Sequence, residues 1–101
     1  MKKFNPGEAV TGPTVFFIFK KSCPACGPLR ALIEANSVNC SELQFIEVEA
    51  VGDNLDFCFD HGVDKTPAVV IFTDDYRGPY DDSVLVVEHM GEANRECKKE
   101  K

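Results

Sequence analysis

The sequence predicts an α/β domain whose mixed sheet is covered by helices, and three observations point there. The runs Thr14 to Phe19 and Ala68 to Phe72 are apolar with almost no polar interruption, the pattern of strands covered on both faces. Between them Leu29, Leu32 and Ile33 recur at helical spacing, with Arg30 and Glu34 assigned to the other side. Gln44 to Glu49 alternates, with Ile46 and Val48 on one face and Phe45, Glu47 and Glu49 on the other. A chain of 101 residues suffices for one domain and one core, and a single domain over 1–101 is expected.

In order, residues 1–13 hold Pro6-Gly7 and Gly12-Pro13, which punctuate loops, and read as an extended arm with a turn of helix around Glu8 to Val10. Thr14 to Phe19 is the first strand. The amphipathic segment Leu29 to Asn36 is the first helix, ending near Asn36-Ser37. Gln44 to Glu49 follows as a strand, joined to the first by a parallel crossover. Asp53 is placed as the N-cap of a second helix, with Asp56 three residues on. Leu55, Cys58 and Phe59 are its buried stripe, Phe57 lies off the stripe, and Gly62 stands where a C′ glycine belongs. After the strand Ala68 to Phe72, the polar stretch Thr73 to Asp82 reads as a wide hairpin connection. Ser83 to Glu88 reads as a fourth strand and Glu92 to Lys101 as a polar terminal helix. The expected order is β-α-β-α-β-β-α around a four-stranded sheet.

The formal net charge is −6 and the pI about 4.8. The basic clusters Lys2-Lys3, Lys20-Lys21 and Lys98-Lys99-Lys101 are short, so nucleic acid and anionic membrane are not expected partners. No apolar run approaches the roughly 20 residues of a membrane span, and no apolar segment follows Lys2-Lys3 as a secretory signal would require. The five cysteines are odd in number and too sparse for a disulfide scaffold. A monomer in the reducing cytoplasm is expected, with Cys40, Cys58 and Cys97 remaining thiols.

Chemistry concentrates in Ser22-Cys23-Pro24-Ala25-Cys26-Gly27-Pro28, between the first strand and the first helix. A Cys-x-x-Cys pair closes a small disulfide ring or holds one side of a metal, and the strand-to-helix setting favours redox chemistry. A thiolate, not a thiol, attacks, and a helix N-terminus favours negative charge. Cys23, at the mouth of the helix, is therefore the expected nucleophile, with Lys20 and Lys21 as candidates to lower its pKa. Cys26, one turn in, is expected to be more buried and to resolve the mixed disulfide. Pro28 would crowd a helix that began at Pro24, so an irregular opening turn is expected. His61 is read as a surface residue beside a helix C-terminus, and His89 as structural. A zinc site lacks ligands, since His61 and His89 do not have paired metal spacing.

Cys23-Pro24-Ala25-Cys26 after a buried strand, together with Gly62-Val63-Asp64-Lys65-Thr66-Pro67-Ala68 leading into Val69 to Phe72, resembles the thioredoxin/glutaredoxin superfamily over nearly the whole chain. The resemblance implies a thioredoxin-like fold and a thiol–disulfide oxidoreductase acting on protein disulfides. It implies a cis-proline at Pro67 facing the dithiol, with Thr66 and Ala68 offering backbone polar groups to an extended substrate and Pro24 and Ala25 touching it. It also aligns Gly91 with the family's glycine after the last strand. No bound cofactor is implied beyond the Cys23–Cys26 disulfide. Reducing equivalents would come from a thioredoxin-reductase-type donor or from glutathione.

The departures bear on which. There is no Trp, Ser22 precedes the first cysteine, and Phe17 stands where thioredoxins bury an Asp, leaving Glu47 as the candidate base for Cys26. Lys20 and Pro24 are closer to glutaredoxins, yet Lys65-Thr66-Pro67 and a single Gly91 replace the elements that hold glutathione there. Two other readings stay open: a binding module of the same fold without turnover, and a metal or iron–sulfur cluster carrier.

Overall fold

In the computed structural model, which describes residues 1–99, β2 (Thr14–Phe19) is the spine of a five-stranded sheet ordered β1-β3-β2-β4-β5. It pairs in parallel with β3 (Gln44–Glu49) along its full length and antiparallel with β4 (Ala68–Phe72). Val15 to Ile18 are completely buried because helices cover both faces, which is why their sequence does not alternate. Val15 and Phe17, with Val69 and Ile71, pack under α1 (Cys26–Ser37) and α3 (Ser83–Lys99). Phe16, Ile18, Ile46, Val48 and Val70 face α2 (Asn54–Asp60) and the N-terminal arm. The order β-α-β-α-β-β-α is present as expected, with one more strand.

That extra strand is β1 (Lys2–Lys3), parallel to β3 at the sheet edge. Its pairing continues through the Phe4 amide, which donates to the Glu47 carbonyl at 2.8 Å. Two exposed lysines carry no hydrophobic pattern, so backbone pairing alone makes this strand. Lysines on an edge also discourage further strands from adding. The arm's turn lies at Asn5 to Glu8, not as a helical turn around Glu8 to Val10.

The C-terminal third departs most from expectation. Ser83 to Glu88 is not a strand but the start of α3, and the fourth long strand is β5 (Tyr76–Tyr80). Val84 to Val87 are consecutive aliphatics, yet only Val86 of them is fully buried, in line with Met90, Ala93 and Cys97. That spacing is a helical stripe, and Val84 is 73% exposed. Asp82 caps the helix: its Oδ1 accepts from the amides of Val84 at 2.8 Å and Leu85 at 3.1 Å. The helix begins well before Glu92, and the end expected at Lys101 lies outside the described residues. Gly91 is therefore inside α3 rather than after the last strand, and its correspondence with the family glycine is lost.

β5 carries Gly78-Pro79 because it is an edge strand with a register shift opposite Val69 to Ile71. Gly78 has φ +105°, and a Cβ there would sit 2.7 Å from the Val69 carbonyl oxygen, so no larger residue fits. The connection is tight, with the Thr73 amide bonding to the Asp75 carbonyl at 3.2 Å, not a wide hairpin.

α2 inverts one expectation. Phe57 points inward, with its ring centroid 4.8 Å from that of Phe16 and 5.0 Å from that of Phe4, while Phe59 is 70% exposed. The arm supplies Phe4 as the inward ring's partner, a tertiary contact that helical spacing does not record. Asp53 occupies the N-cap position without a side-chain hydrogen bond. Gly62 ends the helix at φ +71°, with its amide on the Phe59 carbonyl and that of Val63 on the Cys58 carbonyl, the paired closure of a glycine-terminated helix.

Candidate active site

β2 ends at Phe19, and the next residues turn back on themselves: the Cys23 amide donates to the Lys20 carbonyl at 3.2 Å and the Cys26 amide to the Cys23 carbonyl at 3.3 Å. Cys23 and Cys26 are joined as a disulfide, with Cα atoms 5.4 Å apart. Cys23 is half-buried, Pro24 and Ala25 between them are exposed, and Cys26 is only 5% exposed. α1 begins at Cys26, so Pro24 and Ala25 lie in the turn before it and the irregular opening is present. Pro28 is the third helical residue, where its missing amide has no carbonyl partner to lose. With the Cys26 amide taken and none on Pro28, the opening turn offers an anion fewer amides than a proline-free one.

The register of β2 and β4 sets the second half of the site. Ile18 is opposite Ala68, so Thr66 and Pro67 lie at the sheet end from which the cysteine turn springs. The Thr66–Pro67 peptide is cis, as is Gly78–Pro79. Thr66 and Pro67 are half-buried, whereas Ala68 is 3% exposed within the ladder. Of the three, Thr66 and Pro67 present side-chain surface.

Two grooves flank this ledge. One, of about 180 Å³, is lined by Lys20, Leu55, Cys58, Phe59 and Val63 and reaches Thr66. The other, of about 240 Å³, runs from Pro67 to Pro79, Tyr80 and Asp81. Lys65 bridges to Asp81 at 2.8 Å, and that hydrogen bond holds the Asp81 carboxyl below the usual carboxylate range. Lys20 is exposed and lies close enough to α2 to act on Cys58, whose thiol burial pushes up in pKa against the smaller effects of a backbone hydrogen bond and the Lys20 charge.

Glu47, the candidate base for Cys26, is not free. It forms an ion pair with Arg30, whose guanidinium lies 5.2 Å from the Phe17 ring centroid and 5.0 Å from that of Phe19. Arg30 thus crosses the sheet-facing side of α1 rather than the solvent side. Arg30 is one turn beyond Cys26 on α1, and Glu47 stands opposite Phe17 in the ladder, so the two meet over that face of the sheet. Cys40, Cys58 and Cys97 are buried, and burial also raises the Cys40 thiol pKa, opposed by Lys98. Among the described residues no group of three His, Cys, Asp or Glu side chains converges as a metal site, and no helix is long and apolar enough to cross a membrane.

Comparison with solved structures places this architecture. Thioredoxin f from spinach chloroplast (long form) superposes with a TM-score of 0.75 at 16% identity, covering 93% of this chain and 85% of its own. Fasciola hepatica thioredoxin gives 0.70 at 18%, covering 81% of each chain. Thioredoxin o2 from Arabidopsis thaliana, in its oxidized state, gives 0.70 at 18%, covering 79% and 73%. The chain has the thioredoxin-like fold. No family model matches it, and no curated protein does.

Proposed function

We propose that the protein is a thiol–disulfide oxidoreductase that reduces disulfides in protein substrates. The observation that carries this reading is the Cys23–Cys26 disulfide at the end of the central strand, its first cysteine toward the surface and its second in the core. In the reduced form the Cys23 thiolate attacks one sulfur of a substrate disulfide. That S–S bond breaks, and the other substrate sulfur leaves as a thiolate. Cys26 then gives its proton to that thiolate and attacks the Cys23 sulfur, and the second substrate sulfur departs as a thiolate that takes a proton from solvent. The substrate gains two electrons and two protons, and the protein returns to its disulfide. With Phe17 apolar and Glu47 tied to Arg30, the substrate thiolate released in the first step is the base at hand for Cys26.

Pro24, Ala25, Thr66, Pro67 and the Ala68 backbone form the docking ledge, and Lys20 adds positive charge beside it. The disulfide itself is the only redox group required, and electrons come from a reductase of the thioredoxin type or from glutathione. A reducing cytoplasmic location suits a chain that keeps Cys40 and Cys58 as buried thiols. The test is a coupled assay on a protein disulfide, with NADPH and thioredoxin reductase in one arm and NADPH, glutathione and glutathione reductase in the other. Turnover is expected in one arm, lost in Cys23→Ser, while Cys26→Ser accumulates mixed disulfides. A Cys26→Ser variant with undiminished turnover would refute the dithiol mechanism.

A further inference from the structure

The two grooves beside the ledge share Val63, Asp64 and Lys65 and differ in what lies beyond them. The groove on the α2 side adds Lys20 and the apolar surface of Leu55 and Phe59. The groove on the β5 side adds Pro79, Tyr80 and Asp81. Asp64 and Lys65 line both, so the charged side chains that distinguish the two grooves are Lys20 on one side and Asp81 on the other. Thr66 belongs to the first and Pro67 to the second. An extended chain lying across this peptide therefore spans both.

Among the described residues Lys20 forms no ion pair, and it lines the groove together with Leu55, Cys58 and Phe59 of α2. Phe59, 70% exposed at the same groove, is a large apolar side chain left without cover. Asp81, although bonded to Lys65, is half exposed at its side chain, and a carboxylate accepts more than one donor.

Resting on the oxidoreductase reading above, we infer that the site selects substrate segments of a fixed charge polarity: an acidic residue beside an apolar one on the Lys20–Phe59 side of the attacked cysteine, and a basic residue on the Asp81 side. A segment of reversed polarity places like charges together at both ends.

The test uses the reduced full-length protein in single turnover, which needs no donor. Three peptides each carry one cysteine blocked as a disulfide with uncharged 2-mercaptoethanol. One has Glu before and Lys after the cysteine, one has the reverse, and one has Gln at both positions. One charged peptide is expected to react faster than the Gln peptide and the other slower, by about threefold each way, as for exposed charge contacts. The gap should close in high salt. Lys20→Glu should shrink or reverse the ratio of the two charged peptides, whereas an effect of Lys20 on the thiolate alone would change all three rates equally. Equal rates for the two charged peptides, or a ratio untouched by Lys20→Glu, overturns the inference. Failure to reduce any of the three overturns the oxidoreductase reading instead.

Discussion

The two faces of the sheet are sealed by different means. On one, α1 and α3 lay aliphatic stripes, including Leu29, Ile33, Val86 and Met90, over Val15, Phe17, Val69 and Ile71. On the other, α2 is only seven residues long, and rings complete the cover. Phe4, Phe16 and Phe57 pack together, and His61 stands between Phe57 and Tyr76 at centroid distances of 4.5 and 4.0 Å. A short helix has little side chain to offer, so the arm and the β5 edge supply the missing bulk. The faces also differ in polarity. The two-helix face holds the Arg30–Glu47 pair and an Asn94 that ties the loop after α1 to α3, accepting from the Glu42 amide at 2.9 Å and donating to the Asn39 carbonyl at 3.3 Å. The Cys23–Cys26 disulfide lies just beyond the end of β2, packed against the core of the two-helix face.

The sharpest way to break this contrast is Phe16→Ala. Removing a fully buried ring is expected to cost about 3–5 kcal/mol, read from denaturant unfolding. The arm should loosen with it, so hydrogen exchange at the Phe4 amide should speed up, while Phe17→Ala on the opposite face leaves that amide protected. Equal exchange in both variants would mean that the rings do not anchor the arm.

A smaller effect is expected from Arg30→Met on the two-helix face. It strands the Glu47 carboxylate in a half-buried place, costing roughly 1–2 kcal/mol after allowance for solvent. The double variant Arg30→Met/Glu47→Leu should regain most of that loss. Strictly additive losses would show that the pair is not coupled.

The smallest effect concerns His61. Its position at the end of α2 would raise its pKa through the helix dipole, yet burial in the ring stack lowers it, with Asp60 offsetting this only in part. A histidine with a lowered folded pKa resists protonation that the unfolded chain accepts. Its contribution is therefore full above the unfolded value of about 6.5 and is lost as pH falls from there through the folded value. The unfolding midpoint should decline slightly over that window, and His61→Phe should flatten the decline. An NMR titration placing His61 above its ordinary pKa would contradict the account.

The same contrast explains what could be read in advance. β2 and β4 were legible because two covered faces demand unbroken apolar residues, and β3 because one face of it does not. The dithiol was legible because its chemistry is local, a pair of cysteines between a strand and a helix. Phe57 and Phe59 were exchanged because helical spacing identifies a stripe but not the arm that packs on it. Arg30 was placed outside because its charge suggests solvent, whereas the rings of Phe17 and Phe19 and the Glu47 carboxylate give it a place inside.

By itself the sequence determined the central strands, the cysteine turn at the end of one of them, and the glycine that ends α2, since each follows from the burial or backbone freedom of a few adjacent residues. The tertiary structure alone decided that Lys2–Lys3 is a strand and that Tyr76–Tyr80 accommodates Gly78-Pro79 at an edge, while Val84 to Val87, an aliphatic run that also suits a strand, open a helix under the Asp82 cap. In those places local preference is weak or divided. Pairing with a neighbouring strand, or a cap such as Asp82, then supplies the energy that separates the alternatives.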